Sequence, residues 1–295
     1  MNEKYLIPVS IILSVVIVVT AWMYKTGLKT TSRAPLGADA AQSTGVSVSL
    51  PASNQADGAE LPVVWGNLGV QMTNAGVIDK DKFLALYAQR QTLGDAEREL
   101  LEGARNGKIK INEQNAGVLL NLFWALGLGN KNPILDNGPM QQYGDVGGFA
   151  STGGWTIAKG SAMDHYSKYK FIALSPEEQV LVERVSKNIY RPCCGNSTYF
   201  PDCNHGMAML GLLELMASQG VSEADMYETA LTVNSYWFPS EYATINKYLA
   251  SHGSSLVSAD PKEILGTNYS SGSGYKNVLS QIVPTEQKGS SGCGV

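Results

Sequence analysis

Tyr5-Leu-Ile-Pro-Val-Ser-Ile-Ile-Leu-Ser-Val-Val-Ile-Val-Val-Thr-Ala-Trp-Met-Tyr24 is a run of 20 residues without a charged side chain. At about 1.5 Å of rise per residue, a helix over this run would be about 30 Å long, the hydrocarbon thickness of a bilayer. Tyr5 stands at one end and Trp22 and Tyr24 at the other, where amphipathic rings favour the headgroup level. Pro8 falls in the first turn, where a missing N–H matters least. A core helix this apolar would need partners on every face, and the polar stretch behind it offers none. A cleaved signal peptide would carry a shorter apolar region, about 7–15 residues, with a small-residue site just beyond. Ala38-Asp39-Ala40 has that shape but lies too far downstream, and no cysteine follows closely enough for a lipid anchor. The run predicts an uncleaved single-pass anchor over residues 1–29, spanning about 5–24, with the lipid bilayer as its partner.

Two signals compete over orientation. Lys25, Lys29 and Arg33 make the C-terminal flank the more basic one, which argues for a cytoplasmic domain. Against that, Lys4 and the α-amine form the short basic leader typical of export anchors. Residues 30–60 read as a flexible Ala/Ser/Gly-rich linker of the kind that carries exported modules. The balance favours an extracytoplasmic domain.

The first 33 residues hold four Lys/Arg and one Glu, so the remaining 18 basic and 25 acidic residues leave a balance of −7. Phosphate neutralisation needs a basic face, so nucleic acid is not an expected partner. Residues 61–253 carry dense apolar patterning, ample for one cored domain. The expected fold class is mainly α: an irregular multi-helix globular domain with little or no sheet. Residues 254–295 read as a mobile Ser/Gly-rich tail with one short helix around Tyr275–Ile282.

Within the domain, Trp65, Leu68 and Met72 at helical spacing suggest a first helix over Val63–Thr73. Asp79 should cap a helix through Arg90, and Thr92–Glu102 reads as another, with acids in its first turn. Lys108–Ile111 alternates like a short strand or extended connector. Asn112 opens a strongly apolar helix that stops at Gly127–Gly129. Residues 130–161 read as loop. Ser175-Pro-Glu-Glu178 starts a helix to about Ile189. Helices are further expected over about Cys203–Ser218, capped by Asp202 or Asn204, and over Ser222–Asn234 and Ser240–His252.

The chemistry concentrates in Tyr190-Arg-Pro-Cys-Cys-Gly-Asn-Ser-Thr-Tyr-Phe-Pro-Asp-Cys-Asn-His-Gly-Met-Ala-Met209. Three of the four cysteines and one of three histidines fall within it. Cys193 and Cys194 occupy a turn between Pro192 and Gly195, and Cys203 and His205 the first turn of the next helix. A loop pair followed by Cys-x-His at a helix start can wrap one small ion. The helix dipole there also favours the thiolate form that binds metal. Zn would suit Cys193, Cys194, Cys203 and His205 as a closed set. Adjacent thiolates with Met207 and Met209 as additional ligands suit Cu(I). The bland reading of both methionines is core packing, since AMLGLLELMA is apolar almost all round.

Other readings of the cluster remain open. A Cys194–Cys203 disulfide would leave Cys193 unpaired or joined to Cys293, and would make the domain a stapled interaction or scaffold module with a protein partner. Cys203 could instead be the reactive thiol of an oxidoreductase, although no C-x-x-C pair is present. The cysteines could also simply be buried small hydrophobes. Pro192-Cys193-Cys194-Gly195 with Asp202-Cys203 resembles the signature of bacterial exported proteins that carry Pro-Cys-Tyr-Cys-Gly-Cys. The resemblance covers those residues alone and implies metal binding.

No residue is assigned a catalytic role. Gly154–Ser161 superficially has the composition of a phosphate loop, but its Lys and Gly stand in the wrong order. His165 reads as a polar surface residue beside Asp164, and His252 as a helix-end cation. Core packing is the default for Trp65, Trp124, Trp155 and Trp237.

Overall fold

The computed structural model describes residues 58–89 and 93–282. The 5–24 span, the 1–29 anchor, nearly all of the 30–60 linker, the Arg90 helix end and the tail beyond Ile282 lie outside the described residues. Among those described, no helix is long and apolar enough to cross a membrane.

Two helices make the centre. α4 (Ala116–Gly129) and α7 (Asn204–Ser218) are apolar nearly all round and buried along most of their length. They cross with backbones in contact. A Cβ at Gly127 would lie 2.1 Å from the Met207 carbonyl oxygen, and one at Gly211 would lie 2.4 Å from that of Phe123. Only glycine allows this approach. Once fully buried, each Leu, Ile, Val or Met side chain along the seam contributes about 1.5–3 kcal/mol.

The segment expected to start a helix at Val63 is instead strand β1 (Ala59–Gly66), and α1 begins only at Leu68, running to Ala75. The linker therefore ends earlier than expected, since Ala59 and Glu60 already pair in the sheet. Leu61, Val63 and Trp65 alternate inward with period two. That pattern overrode the helical spacing of Trp65, Leu68 and Met72 because a partner strand lay within reach. The partner is β2 (Arg105–Ile111), antiparallel, with Glu60 opposite Lys110 and Val64 opposite Lys108. The sheet's buried face packs on α7 and on α8 (Glu223–Trp237). Gln219 at the end of α7 completes the outer edge of β1, its side-chain amide donating to the Val64 carbonyl and accepting from the Val64 N–H.

Local capping rules placed most other helices. Asp79 caps α2 (Lys80–Ala88) by accepting from the N–H groups of Asp81 and Lys82. α3 (Asp95–Glu102) carries Glu97 back onto the Gly94 N–H. α6 (Pro176–Ser186) opens on a capping box in which Ser175 and Glu178 accept each other's N–H. Residues 130–161 are mostly irregular but hold a short α5 (Pro133–Asn137). α9 spans Pro239–Ser251.

The largest departure follows Ser254. Expected as a tail with a single helix, residues 261–282 fold as α10 (Pro261–Ile264), α11 (Thr267–Ser270) and α12 (Gly272–Ile282). Leu256, Ile264, Leu265 and Val278 are buried in the common core. The Ser270 hydroxyl is buried between the Tyr242 hydroxyl at 2.7 Å and the Ile264 carbonyl at 2.7 Å. The serines and glycines that suggested mobility serve close packing: a Cβ at Gly274 would lie 2.0 Å from the Thr267 carbonyl oxygen.

The four tryptophans among the described residues act as pins between segments. Their indole N–H groups donate to the carbonyls of Leu100 (Trp65), Ser151 (Trp124), Val77 (Trp155) and Ala116 (Trp237). Each ties two distant segments together; Trp65, Trp124 and Trp155 bury their rings as they do so, and Trp237 is partly buried.

Candidate metal centre

The cysteine loop, residues 190–203, joins α6 to α7 and is held by backbone bonds from several elements. Thr198 N–H donates to the Ile189 carbonyl and Tyr199 N–H to that of Ser186. Tyr190 N–H donates to the Leu265 carbonyl, and Gly272 N–H donates to the Cys194 carbonyl at 2.8 Å. The helices after Ser254 thus form one wall of the loop. From the other side, Ser151 N–H donates to the Asp202 carbonyl.

Within this frame Cys193, Cys194 and Cys203 are free thiols, each half-buried. Their sulfurs form a triangle with edges of 3.2 Å (Cys193–Cys194), 3.4 Å (Cys194–Cys203) and 3.8 Å (Cys193–Cys203). None is at the bonded S–S distance of about 2.05 Å. Cys203, rather than Asp202 or Asn204, is the N-cap of α7, its Sγ accepting from the Gly206 N–H at 3.4 Å. His205, in the first turn, packs its ring 4.4 Å from that of Phe238 and 5.8 Å from that of Trp237. The ligating atoms of Cys193, Cys203 and His205 lie within 4.8 Å of one another, as do those of Cys194, Asp202 and Cys203. The cluster of Cys193, Cys194, Cys203 and His205 could hold a metal ion. The two methionines are spoken for elsewhere: Met207 and Met209 are buried in the hydrophobic core, with the Met207 backbone against Gly127.

Arg191, which the sequence did not mark out, and Asp202, read there as a candidate cap and as part of the resemblance, complete the surroundings. Arg191 is 1% exposed. Its Nε donates to Cys203 Sγ at 3.1 Å, Nη1 to the Asn196 carbonyl at 2.8 Å, and Nη2 to the Phe200 carbonyl at 3.2 Å and Asp202 Oδ1 at 2.5 Å. Asp202 takes its second bond from Asn196 Nδ2, at 2.7 Å on Oδ2. The only hint of Arg191 in the sequence was a cation immediately before a Pro-Cys-Cys turn, which is too common to mean anything alone.

The electrostatics follow from these contacts. S–H groups of Cys193 and Cys194 pointing at Cys203 hold its thiol well below the usual cysteine range, against the pull of burial, with Arg191 and His205 assisting. Cys193 is correspondingly pushed up by its bonds to Cys194 and Cys203 and by burial. In Cys194 the bond to Cys193 works downward, but the bond to Cys203 and burial raise it to about 12. Burial alone would disfavour the Arg191 charge, yet Cys203, Cys194 and Asp202 keep it firmly protonated. Of the three sulfurs, Cys203 is thus the one whose surroundings most favour the thiolate form.

Several lesser candidates resolve into structure. His165 is buried rather than on the surface, with Nδ1 2.8 Å from the Tyr169 hydroxyl and Nε2 2.7 Å from the Lys159 carbonyl. In the lookalike phosphate loop, the Lys159 N–H is bonded to the Gly76 carbonyl. His252 is exposed and bonded within its own helix end. Glu214, unremarked in the sequence, lies fully buried on α7 between Asn130 and Asn132. A single carboxylate inside an apolar helical run was the legible signal.

Compared with known families, curated proteins and solved structures, the chain returns no match in any of the three.

Proposed function

We propose that this is a membrane-anchored, extracytoplasmic metal-binding protein whose site is Cys193, Cys194, Cys203 and His205. One observation carries the reading: three sulfurs converge on a common point instead of two pairing off. Four ligands about 2.3 Å from a tetrahedral Zn²⁺ stand about 3.8 Å apart. The sulfur triangle, at 3.2–3.8 Å, needs only slight expansion to admit the ion. A disulfide reading uses two sulfurs and leaves the third, and the approach of His205, unexplained.

Zn²⁺ fits better than Cu⁺. Imidazole with thiolates is a usual zinc set, and the thioethers that would favour copper are committed to the core. Three thiolates, Asp202, the Arg191 guanidinium and one divalent ion leave a single net negative charge, whereas Cu⁺ would leave two in a half-buried site. A full protein ligand set leaves no open position for substrate, so the ion is structural or is cargo to be held and passed on. The anchor and the outward orientation rest on the 5–24 run and its flanks.

A second reading has one observation in its favour. A Cys203 thiol held low, with Cys194 Sγ at 3.4 Å as a resolving partner, is the arrangement of a thiol oxidoreductase.

Elemental analysis and thiol counting on the full-length chain, purified in detergent under reducing conditions without chelator, separate the readings. About one equivalent of zinc in the wild type and none in Cys203→Ser is the expected result. A metal-free protein even after reconstitution, with a Cys194–Cys203 disulfide forming reversibly in air, would hand the site to the thiol chemistry.

A further inference from the structure

Five side chains reach the cluster with metal-ligating atoms, and they fall into two overlapping groups that share Cys203: Cys193, Cys203 and His205 on one side, Cys194, Asp202 and Cys203 on the other. Taken alone, the overlap suggests two ions bridged by the Cys203 sulfur. The position of Arg191 argues otherwise. Its guanidinium touches both Cys203 Sγ, at 3.1 Å, and Asp202 Oδ1, at 2.5 Å. A second cation would have to bridge those same two atoms. We propose that Arg191 is the built-in second cation of the site, making Asp202 its counter-ion and limiting the cluster to one ion held by Cys193, Cys194, Cys203 and His205. The inference rests on the metal reading above and deepens it.

The seat of this charge is unusually complete. Carbonyls of Asn196 and Phe200 take the guanidinium edges that face away from the cluster. Both Asp202 oxygens already take a donor within the loop, Oδ1 from Arg191 and Oδ2 from Asn196 Nδ2, so an ion bound there would compete with the guanidinium for the same carboxylate. The first turn of α7 is cut away for the same purpose: a Cβ at Gly206 would lie 2.5 Å from Nη2 and 2.6 Å from Cζ. Arginine cannot be deprotonated in a protein, so the charge persists whether or not the metal is bound. With its Nε 3.1 Å from Cys203 Sγ, Arg191 would offset part of the negative charge of a three-thiolate complex. Outer partners of this kind are typically worth 10–100-fold in metal affinity.

The test titrates Co²⁺, read by its thiolate charge-transfer bands, and then Zn²⁺ by competition, into the full-length chain and three variants whose folding is checked by far-ultraviolet circular dichroism. The wild type should saturate at one equivalent. Asp202→Asn should also saturate at one, with unchanged charge-transfer and ligand-field bands. Arg191→Met should weaken binding about 10–100-fold, and Arg191→Lys, which keeps the charge but not the fork, should recover most of that loss. Two equivalents in the wild type, or an altered ligand field in Asp202→Asn, overturns the assignment by making Asp202 a ligand. Arg191→Lys binding no better than Arg191→Met overturns it too, because Arg191 would then act through its hydrogen-bond geometry alone. Should Arg191→Met fail to fold, the Asp202→Asn spectrum and the Arg191→Lys affinity decide the matter. A wild type that takes no metal sinks the underlying reading; failure confined to the variants sinks only this one.

Discussion

Helix α7 carries two polar clusters, and they solve the problem of burying charge in opposite ways. At its first turn, Cys203, Arg191, Asp202 and His205 bring together groups of both signs in a half-buried setting. About 15 Å further along the same helix, Glu214 is wholly buried, and neither of its two hydrogen-bond partners carries a charge. Its Oε2 accepts from Asn130 Nδ2 at 2.8 Å and its Oε1 from Asn132 Nδ2 at 2.6 Å. Both amides are locked in that orientation, because their own oxygens accept N–H bonds from Ile172 and Ile134. Burial nevertheless outweighs the two amide donors and raises Glu214 to about 8. The difference teaches what each cluster is for. The first has surplus metal-ligating groups and partial access to solvent, so it could hold an ion. The second spends every contact on pinning the segment after α4, with Ile172 and α5 held to the middle of α7, and is an architectural device.

Three perturbations break or sharpen that contrast. The largest expected effect is Glu214→Ala, which leaves two buried amide donors without acceptors and opens a cavity. Each orphaned donor costs about 1–3 kcal/mol, so urea unfolding at pH 6 should show a loss of about 2–5 kcal/mol. A loss under about 0.5 kcal/mol would mean that the asparagines re-pair and the pin is dispensable.

Gly206→Ala should come next. Its new Cβ collides with the Arg191 guanidinium, and displacing that group costs about 1–3 kcal/mol as an overpacking strain. Unlike Glu214→Ala, it should also weaken zinc binding, because the two clusters are independent. Equal zinc affinity in Gly206→Ala and wild type would show that the guanidinium can leave its seat without consequence.

The subtlest effect is on pH dependence. The folded-state value of Glu214 lies above that of an unfolded glutamate, so the native state binds the extra proton between about pH 4.5 and about pH 8. Its contribution to stability is fully present below that window and is lost as pH rises through it. Glu214→Gln, which cannot ionise, should flatten the decline while costing one hydrogen bond, about 1 kcal/mol, at pH 5. Parallel stability curves for the two proteins from pH 5 to pH 8 would show that Glu214 stays in one protonation state throughout.

How much of this could be read in advance varied with the range of the interaction. Helix starts at Asp79, Ser175 and Ser222 were legible because a cap needs only its own side chain and the next two or three N–H groups. The cysteine and histidine positions were legible because they lie within a few residues of one another along the chain. Arg191 was not: its worth depends on Gly206 making room and on Asp202 and Asn196 turning toward it. The tail was misjudged for a related reason, since Ser270 and Gly274 look mobile until Tyr242 and Thr267 are beside them.

The sequence by itself determined the apolar 5–24 run, the mainly helical character, the caps at Asp79, Ser175 and Ser222, and the residues able to bind a soft ion. Composition, periodicity and short spacings carry those properties. Tertiary structure alone decided that Val63 lies in a strand, that three sulfurs meet at one point with a guanidinium beside them, that Met207 and Met209 belong to the core, and that Glu214 is locked between two asparagines. Each of those depends on groups far apart in the chain, whose meeting is fixed by the glycine-permitted crossing of α4 and α7 and by the packing around it.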